Sequence, residues 1–196
     1  MKPKIIALIL LCLLLVPCAM FGYYQVQRNL FNLTFAERDE QGKPAQWGCW
    51  TKGSSYSCDS GTVPAGKYSL HVKVSKGDGS PGIGASVISQ SALLAHVRGT
   101  NVTYSGWIKT KNVARWAGLW MRVDGRPPGQ YTGKILASNN MQDSAWYGTH
   151  DWRHFSFVLP VSDTAKNVDF GVQVAGSGEA WFAGLTLDTN GVRLAP

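Results

Sequence analysis

Charge is scarce in this sequence and nowhere concentrated. Charged residues make up 16% of the 196 residues, well below the roughly 25% of an average soluble domain. The 19 basic and 12 acidic residues give a formal net charge of +7, but no long run of like charges occurs. Because nucleic-acid binding requires a clustered basic patch, we expect no nucleic-acid partner.

Signatures of catalysis and of metal binding are also missing. The sequence has no G-x-S-x-G segment, with which hydrolases present a nucleophilic serine, and no C-x-x-C or Cys/His cluster. His150 and Asp151 are adjacent, but adjacent side chains on a strand point to opposite faces. We therefore predict a protein that is not an enzyme and uses no cofactor or metal. A small esterase or glycosidase is the third-ranked alternative, and its carboxylates would come from Asp124, Asp143, Asp151 and Asp169.

Glycine and tryptophan, in contrast, are plentiful, at 22 and 8 residues. Disordered chains are poor in aromatic residues, and so many glycines would be costly inside helices. Beyond Gln25, short alternating runs separated by turn residues predict an all-β antiparallel sandwich or jelly roll. The predicted strands are Asn29–Phe35, Ala45–Thr51, Ser55–Asp59, Tyr68–Ser75, Gly82–Gln90, Thr100–Lys111, Ala117–Asp124, His154–Val161, Val168–Val174 and Ala180–Asp188. The remaining elements are helical turns at Ser91–His96 and Asn112–Trp116 and a long loop, Gly125–Asp151.

The first residues have the layout of an export signal. Lys2 and Lys4 precede an apolar helix-forming stretch, residues 5–24, that contains no charge. At about 20 residues it is long enough to cross a bilayer, and its basic start predicts a cytoplasmic N-terminus. We expect a single-pass anchor in the inner membrane, with the rest of the chain in the periplasm or outside the cell. Cleavage as a signal peptide and lipid attachment at Cys18 are the alternatives.

This layout divides the chain into a signal anchor, residues 1–25, and one jelly-roll domain, residues 26–196. Cys49 and Cys58 belong to the exported domain. In an oxidising compartment their spacing predicts a disulfide that closes a hairpin, worth up to about 3 kcal/mol. A zinc site is the alternative, but two thiolates do not supply four ligands.

Motifs spread over most of residues 29–188 resemble a known group of domains. They comprise Asn32-Leu33-Thr34-Phe35, Gly66-Lys67-Tyr68-Ser69-Leu70, Ser105-Gly106-Trp107-Ile108-Lys109-Thr110, Trp116 to Gly125, Asn140-Met141-Gln142-Asp143, Asp151-Trp152 and Trp181-Phe182. Together they resemble galactose-binding-like jelly-roll modules, a group that includes many carbohydrate-binding modules. They are most similar to a bacterial jelly-roll domain found alone or attached to regulatory, sensor-like and erythromycin-esterase-like proteins. The resemblance implies the fold but no general activity.

Two acidic positions of that group are changed in this sequence. Ala183-Gly184 follows the tryptophan–phenylalanine pair where an acidic residue is usual, and Ser138-Asn139 stands where an aspartate is common. These changes weaken the expectation of the structural calcium found in many related modules.

Aromatic and polar side chains share one face of the predicted strands. In Ala117–Asp124 one face is apolar, whereas the other carries Trp120 and Arg122. Tryptophan rings stack on sugars, and the polar groups beside them bond hydroxyls. The predicted ligand-binding residues are Trp107, Trp120, Arg122, Asn140, Met141 and Gln173. Alternatively, the long loop covers this face and the tryptophans only pack.

These features predict an exported, membrane-tethered, non-catalytic domain that binds a small polar ligand, a glycan or an envelope partner protein. The alternative is a structural or assembly component of an envelope complex. A pocket lined by Trp107, Trp120 and Arg122 favours the first reading, whereas burial of these side chains under the loop favours the second.

Overall fold

The computed structural model describes residues 31–49, 53–61, 63–75, 86–87, 91–127, 133–144 and 146–195. The elements in these ranges are β1 (Ser54–Asp59), β2 (Ser69–Val74), β3 (Ser86–Val87), α1 (Ser91–Val97), β4 (Thr100–Val113), β5 (Trp116–Asp124), β6 (Ile135–Asn139), a 3-10 turn (Gln142–Ser144), β7 (Gly148–Val161), β8 (Asn167–Ala175), β9 (Gly178–Thr189) and β10 (Val192–Ala195). The predicted N-terminal helix lies outside the described residues. Among those that are described, no helix is long and apolar enough to span a membrane.

Two sheets form the sandwich. The first sheet has the order β1-β2-β9-β4-β7, with β10 also paired to β9, and the second sheet has the order β3-β8-β5-β6. The strand pairs of both sheets are antiparallel. The prediction of an all-β antiparallel sandwich is therefore confirmed for the described part of the chain.

The core lies between the sheets and follows the period-two pattern of the strands. Val102, Tyr104 and Ile108 point inward from β4 and are fully buried, as are Leu119 and Met121 on β5. Burial of these side chains stabilises the fold by about 1.5–3 kcal/mol each. The same alternation puts Trp107 on the outer face of the first sheet and Trp120 on the outer face of the second.

Tyr104 gives the core a measurable dependence on pH. Its hydroxyl donates to the carbonyl of Gly171 at 3.2 Å, and burial raises the pKa of this hydroxyl well above its ordinary value of 10.0. The stability that this shift contributes is complete below pH 10 and is lost as the pH rises towards the folded-state pKa. We expect the free energy of unfolding to fall less steeply above pH 10 in Tyr104→Phe, as measured by urea titration. Equal slopes for the two proteins would contradict this.

The connection from β4 to β5 is only two residues long, yet it passes from one sheet to the other. Ala114 and Arg115 form it, and the backbone N–H of Ala114 donates to Ser177 O at 2.8 Å. The helical turn predicted at Asn112–Trp116 is therefore wrong, because Asn112 and Val113 still belong to β4, Trp116 already begins β5, and Ala114 and Arg115 form only the bend between them.

The first described segment is a loop that is held together by one asparagine. Asn32 Nδ2 donates to Glu37 O at 2.7 Å and to Ala45 O at 2.9 Å, and Asn32 Oδ1 accepts from Glu37 N–H. Asn32 and Phe35 adopt positive φ angles of 45° and 56°. The described parts of the predicted strands Asn29–Phe35 and Ala45–Thr51 are consequently not strands.

The predicted loop Gly125–Asp151 contains more structure than expected. β6 pairs with β5 inside it, and β7 begins at Gly148. Trp146 stacks on His150 with ring centroids 4.3 Å apart and contacts Phe155 edge-on. The aromatic part of this segment therefore packs onto the sandwich.

Cys49 and Cys58 are free thiols, so the predicted disulfide is wrong in this structure. Cys49 Sγ lies 2.7 Å from Ser54 Oγ, at the start of β1. Cys58 lies four residues further along the same strand, about 13 Å away, where its thiol contacts Phe35 O at 3.4 Å. The two sulfur atoms therefore point to different ends of β1 instead of facing each other across a hairpin.

We expect both thiols to react when the protein is unfolded without reductant and treated with a maleimide. Peptide mass spectrometry should find the label on Cys49 and on Cys58. In the native protein Cys58 should react slowly. Burial is the main cause of the raised pKa of its thiol, and only the thiolate is nucleophilic. Recovery of a Cys49–Cys58 disulfide peptide would contradict the structure.

Candidate functional site

A groove lies on the outer face of the second sheet. Its volume is about 280 Å³, close to the lower limit of pockets that hold small ligands. It is lined by Trp120, Met121, Arg122, Ser138, Asn139, Asn140 and Gln173. We call it the β5 groove, because β5 supplies its floor.

Trp120 is partly exposed in this groove because its neighbour across the sheet has no side chain. It pairs with Gly171 of β8, which leaves room for the indole ring on the outer face. The indole Nε1 is buried and has no hydrogen-bond partner among the described residues. The part of Trp120 that can meet a ligand is therefore its carbon surface.

Arg122 is held in place by two carboxylates. Its Nε donates to Asp124 Oδ2 at 2.8 Å, and its Nη2 donates to Asp169 Oδ2 at 3.1 Å. Asp124 is 1% exposed and also pairs with Arg126 at 3.5 Å. The Arg122 side chain keeps 36% of its surface exposed. Since a guanidinium has five N–H donors, others remain for a ligand in the groove.

The end of the groove is closed by the segment that follows β6. Gln173 Nε2 donates to Asn140 O at 2.7 Å, and Met141 is 6% exposed with its Sδ 3.2 Å from the backbone N of Leu119. The close approach of this segment to β5 depends on Gly118, because a Cβ there would lie 2.8 Å from Met141 Cβ. Met141 thus seals the groove, while Asn140 stays exposed beside it.

We expect Gly118→Ala to displace Met141 and Asn140. Insertion into a closely packed site costs about 1–3 kcal/mol, and thermal denaturation should show the loss. Gly125→Ala is the matched control, because its nearest atom would be 3.4 Å from the added Cβ. Equal unfolding midpoints for the two variants would contradict the expected crowding at Gly118.

The structure brings together five of the six predicted ligand residues but not Trp107. Trp120, Arg122, Asn140 and Gln173 line the β5 groove, and Met141 closes its end. The prediction that Trp107 lies beside Trp120 is wrong, because β4 and β5 belong to different sheets. Alternation along consecutive strands does not distinguish a hairpin from a crossing between sheets.

The sequence reading missed several groups that shape the groove. Asp124 and Asp169 position Arg122, and Ser138 and Asn139 line the wall formed by β6. The alternation of Asp169 with Gln173 on one face follows from the sequence, whereas β6 lies inside the predicted loop Gly125–Asp151. Within the described ranges no group of three or more His, Cys, Asp or Glu side chains is arranged to hold a metal ion.

Comparisons with solved structures show which fold this is. The xylan-binding domain CBM22-1 of Xyn10C from Paenibacillus barcinonensis superposes with a TM-score of 0.51 at 17% identity, over 79% of this chain and 90% of that one. The C-terminal family 22 carbohydrate-binding module of Clostridium thermocellum Xyn10B gives a TM-score of 0.53 at 14% identity, over 84% and 96%. This chain has the jelly-roll fold of carbohydrate-binding modules.

Sequence comparison relates part of this jelly-roll chain to a regulator. It is 37% identical over 83 residues to the "Uncharacterized HTH-type transcriptional regulator YbfP" of Bacillus subtilis (strain 168). The match covers 42% of this chain, which spans only about a quarter (26%) of that curated relative. No protein-family model matches the sequence.

Proposed function

We propose that this chain is an exported, non-catalytic domain that binds a glycan in the β5 groove. The observation that carries the proposal is the partly exposed Trp120 ring beside the two-point anchored Arg122. An aromatic surface flanked by convergent polar groups is the typical lining of a small-ligand site. A sugar ring has an apolar face for the indole and hydroxyls for Arg122, Asn140 and Gln173.

The groove is organised before any ligand arrives. Arg122 is held by Asp124 and Asp169, and the Gln173–Asn140 hydrogen bond fixes the closing segment. Binding therefore orders few side chains, which lowers its entropic cost. This favours a recognition role for the site.

The carboxylates near the groove support binding more than hydrolysis. A glycosidase needs two carboxyl groups that flank the scissile bond. Asp124 and Asp169 instead both bond Arg122, and Asp124 is 1% exposed. Their role in this arrangement is to position the arginine.

The solved neighbours suggest the first ligand to try. They include xylan-binding domains and a CBM22 module complexed with xylohexaose. We expect calorimetric titration of the full chain to detect binding of at least one of xylohexaose, cellohexaose and mannohexaose. Failure of all three, at millimolar concentration and with the protein folded, would contradict the proposal.

We also propose that residues 5–24 tether this domain to the inner membrane. This segment lies outside the described residues, so the proposal rests on its uncharged apolar sequence and on Lys2 and Lys4 before it. Cell fractionation with intact-mass measurement should find the chain in the membrane with both lysines retained. A soluble periplasmic form that begins between Ala19 and Gln25 would contradict the tether.

A further inference from the structure

A second groove lies on the opposite side of the molecule, on the outer face of the first sheet. Its volume is about 370 Å³, larger than that of the β5 groove. It is lined by Asp59, Gly61, Ser69, Lys109, Lys111, Trp152 and Trp181. We call it the tryptophan–lysine groove. None of these residues is among the predicted ligand-binding residues.

Trp181 is fixed in this groove by contacts at its edge and on one face. Its Nε1 donates to Asp59 Oδ2 at 2.9 Å. Its ring stacks on His71 with centroids 4.4 Å apart and planes 3° from parallel. His71 is itself bonded to Glu179 at 3.0 Å. The indole is therefore oriented without any ligand.

Trp181 stands between the two sets of residues that line the groove. β9 lies between β2 and β4, and the cross-strand partners of Trp181 are His71 on one side and Lys109 on the other. His71 covers one face of the ring, and the groove is lined by Asp59 and Ser69 on the β2 side of β9 and by Lys109 and Lys111 on its β4 side. The fixed indole thus offers an aromatic platform like that of Trp120.

Trp152 forms the opposite wall of the groove. The register of β7 with β4 shifts between Ile108↔Arg153 and Thr110↔His150, which brings Trp152 to the level of Lys109. β4, which carries Lys109 and Lys111, lies between β9 and β7. The two tryptophans therefore line the groove on either side of the lysines.

The two lysines give this groove cations that are held less tightly than Arg122 of the β5 groove, which two carboxylates anchor. Lys109 Nζ lies 3.7 Å from Asp151 Oδ1, and Lys111 Nζ lies 3.9 Å from Glu179 Oε1. Both distances are longer than those of hydrogen bonds. Asp151 is 86% exposed, and an ion pair with such an exposed partner contributes little stability. The Lys109 ammonium can therefore exchange Asp151 for an anionic group of a ligand at little cost, and the Lys111 side chain, which is 56% exposed, lies in the same groove.

We propose that the tryptophan–lysine groove is a second binding site, which takes one acidic sugar of a uronate-containing saccharide. The sugar ring stacks on Trp181, facing Trp152, and its carboxylate bonds Lys109 and Lys111. Without Lys2 and Lys4 of the proposed anchor, the net charge of +7 becomes +5, and this positive charge favours the approach of such a polyanion. This site does not depend on glycan binding in the β5 groove.

The test is calorimetric titration of the full chain with tetragalacturonate. Galactotetraose, the neutral counterpart, and polyglutamate, a polyanion without sugar rings, are titrated in parallel. We expect tetragalacturonate to bind at least about tenfold more tightly than either, because only it offers both the ring and the carboxylate. Absence of tetragalacturonate binding would overturn the proposal. Equal binding of galactotetraose would overturn the role of charge, and equal binding of polyglutamate would overturn that of the sugar ring.

Variants locate the site. The double variant Lys109→Gln/Lys111→Gln should lose about tenfold in affinity for tetragalacturonate, and Trp181→Ala should lose at least as much. Lys73→Gln is the matched control, because Lys73 lies on the same face and pairs with Glu179 at 3.9 Å, outside the groove. An equal loss of affinity in Lys73→Gln would show that only the overall charge of the protein matters, and it would contradict a binding site at Lys109 and Lys111. If Trp181→Ala does not fold, the exposed lysine pair still decides the outcome.

A substitution in the other groove separates the two proposals. Trp120→Ala should retain tetragalacturonate binding, because Trp120 lies on the outer face of the second sheet. Loss of tetragalacturonate binding in this variant would place the acidic sugar in the β5 groove and overturn the second site. Failure of the neutral hexasaccharides to bind would overturn only the function proposed for the β5 groove.

Discussion

Replacing Trp120 by alanine should remove glycan binding from the β5 groove and leave the sandwich folded. A tryptophan at the centre of a binding site commonly contributes 2 kcal/mol or more to affinity, so we expect a loss of about thirtyfold for whichever hexasaccharide binds. The inward neighbours Leu119 and Met121 are fully buried and unchanged, and we expect the stability cost to stay near ~1–2 kcal/mol. Calorimetric titration measures the first effect and thermal denaturation the second.

Trp116 provides the matched control on the same strand. It is 7% exposed, and truncation of such a buried tryptophan typically costs about 3–5 kcal/mol. In a chain of this size each kcal/mol lowers the midpoint by about 2–4 °C. If Trp120→Ala lowers the midpoint as far as Trp116→Ala does, Trp120 is a core residue and the binding role proposed for it is wrong.

Among substitutions of residues that line the β5 groove or position its side chains, Asp124→Asn should cause the largest loss of folding stability. Asp124 is 1% exposed and pairs with Arg122 at 2.8 Å and Arg126 at 3.5 Å. Removing one partner of a buried pair commonly costs 3–5 kcal/mol. We expect about 3 kcal/mol here, because Arg122 keeps its bond to Asp169 and reaches solvent. Urea denaturation measures the loss, and glycan affinity should fall as Arg122 is released.

Asp188→Asn is the control for this effect. Asp188 pairs with Arg193 at 3.1 Å, but the arginine side chain is 60% exposed. Surface pairs contribute about 0–1 kcal/mol, so the free energy of unfolding of this variant should remain close to that of the wild type. A similar cost for both substitutions would show that burial does not distinguish the Asp124 network.

β4, β5 and β9 were predictable because each has a core face and an outer face. The alternation of Val102, Tyr104 and Ile108 with outward residues specifies a strand, and the structure follows it. Phe31, Leu33 and Phe35 show the same spacing and are also buried, but they belong to a loop. There the side chain of Asn32 satisfies the backbone groups that a neighbouring strand would bond. A two-residue period of apolar side chains indicates which residues are buried. Whether the segment is a strand or a loop depends on which groups hydrogen-bond its backbone.

The candidate site was predictable only within one strand. Trp120 and Arg122 share a face because side chains on a strand repeat every two residues. The separation of Trp107 from Trp120 depends on sheet membership, which no local pattern encodes. The platform formed by Trp181, His71 and Asp59 was likewise hidden, since it joins β9 to the β1–β2 pair, which lies far from β9 in the sequence.

The two-residue connection at Ala114 and Arg115 determines where the two proposed binding sites lie relative to each other. Because it sends β4 and β5 into opposite sheets, the two grooves open on opposite sides of the sandwich. A single extended polysaccharide lying on one side cannot reach the other, so occupation of both grooves adds no avidity for one polymer strand. One copy would instead bridge two polymer strands of different composition, one neutral and one acidic. Such a domain would act as a cross-link within a mixed polysaccharide matrix.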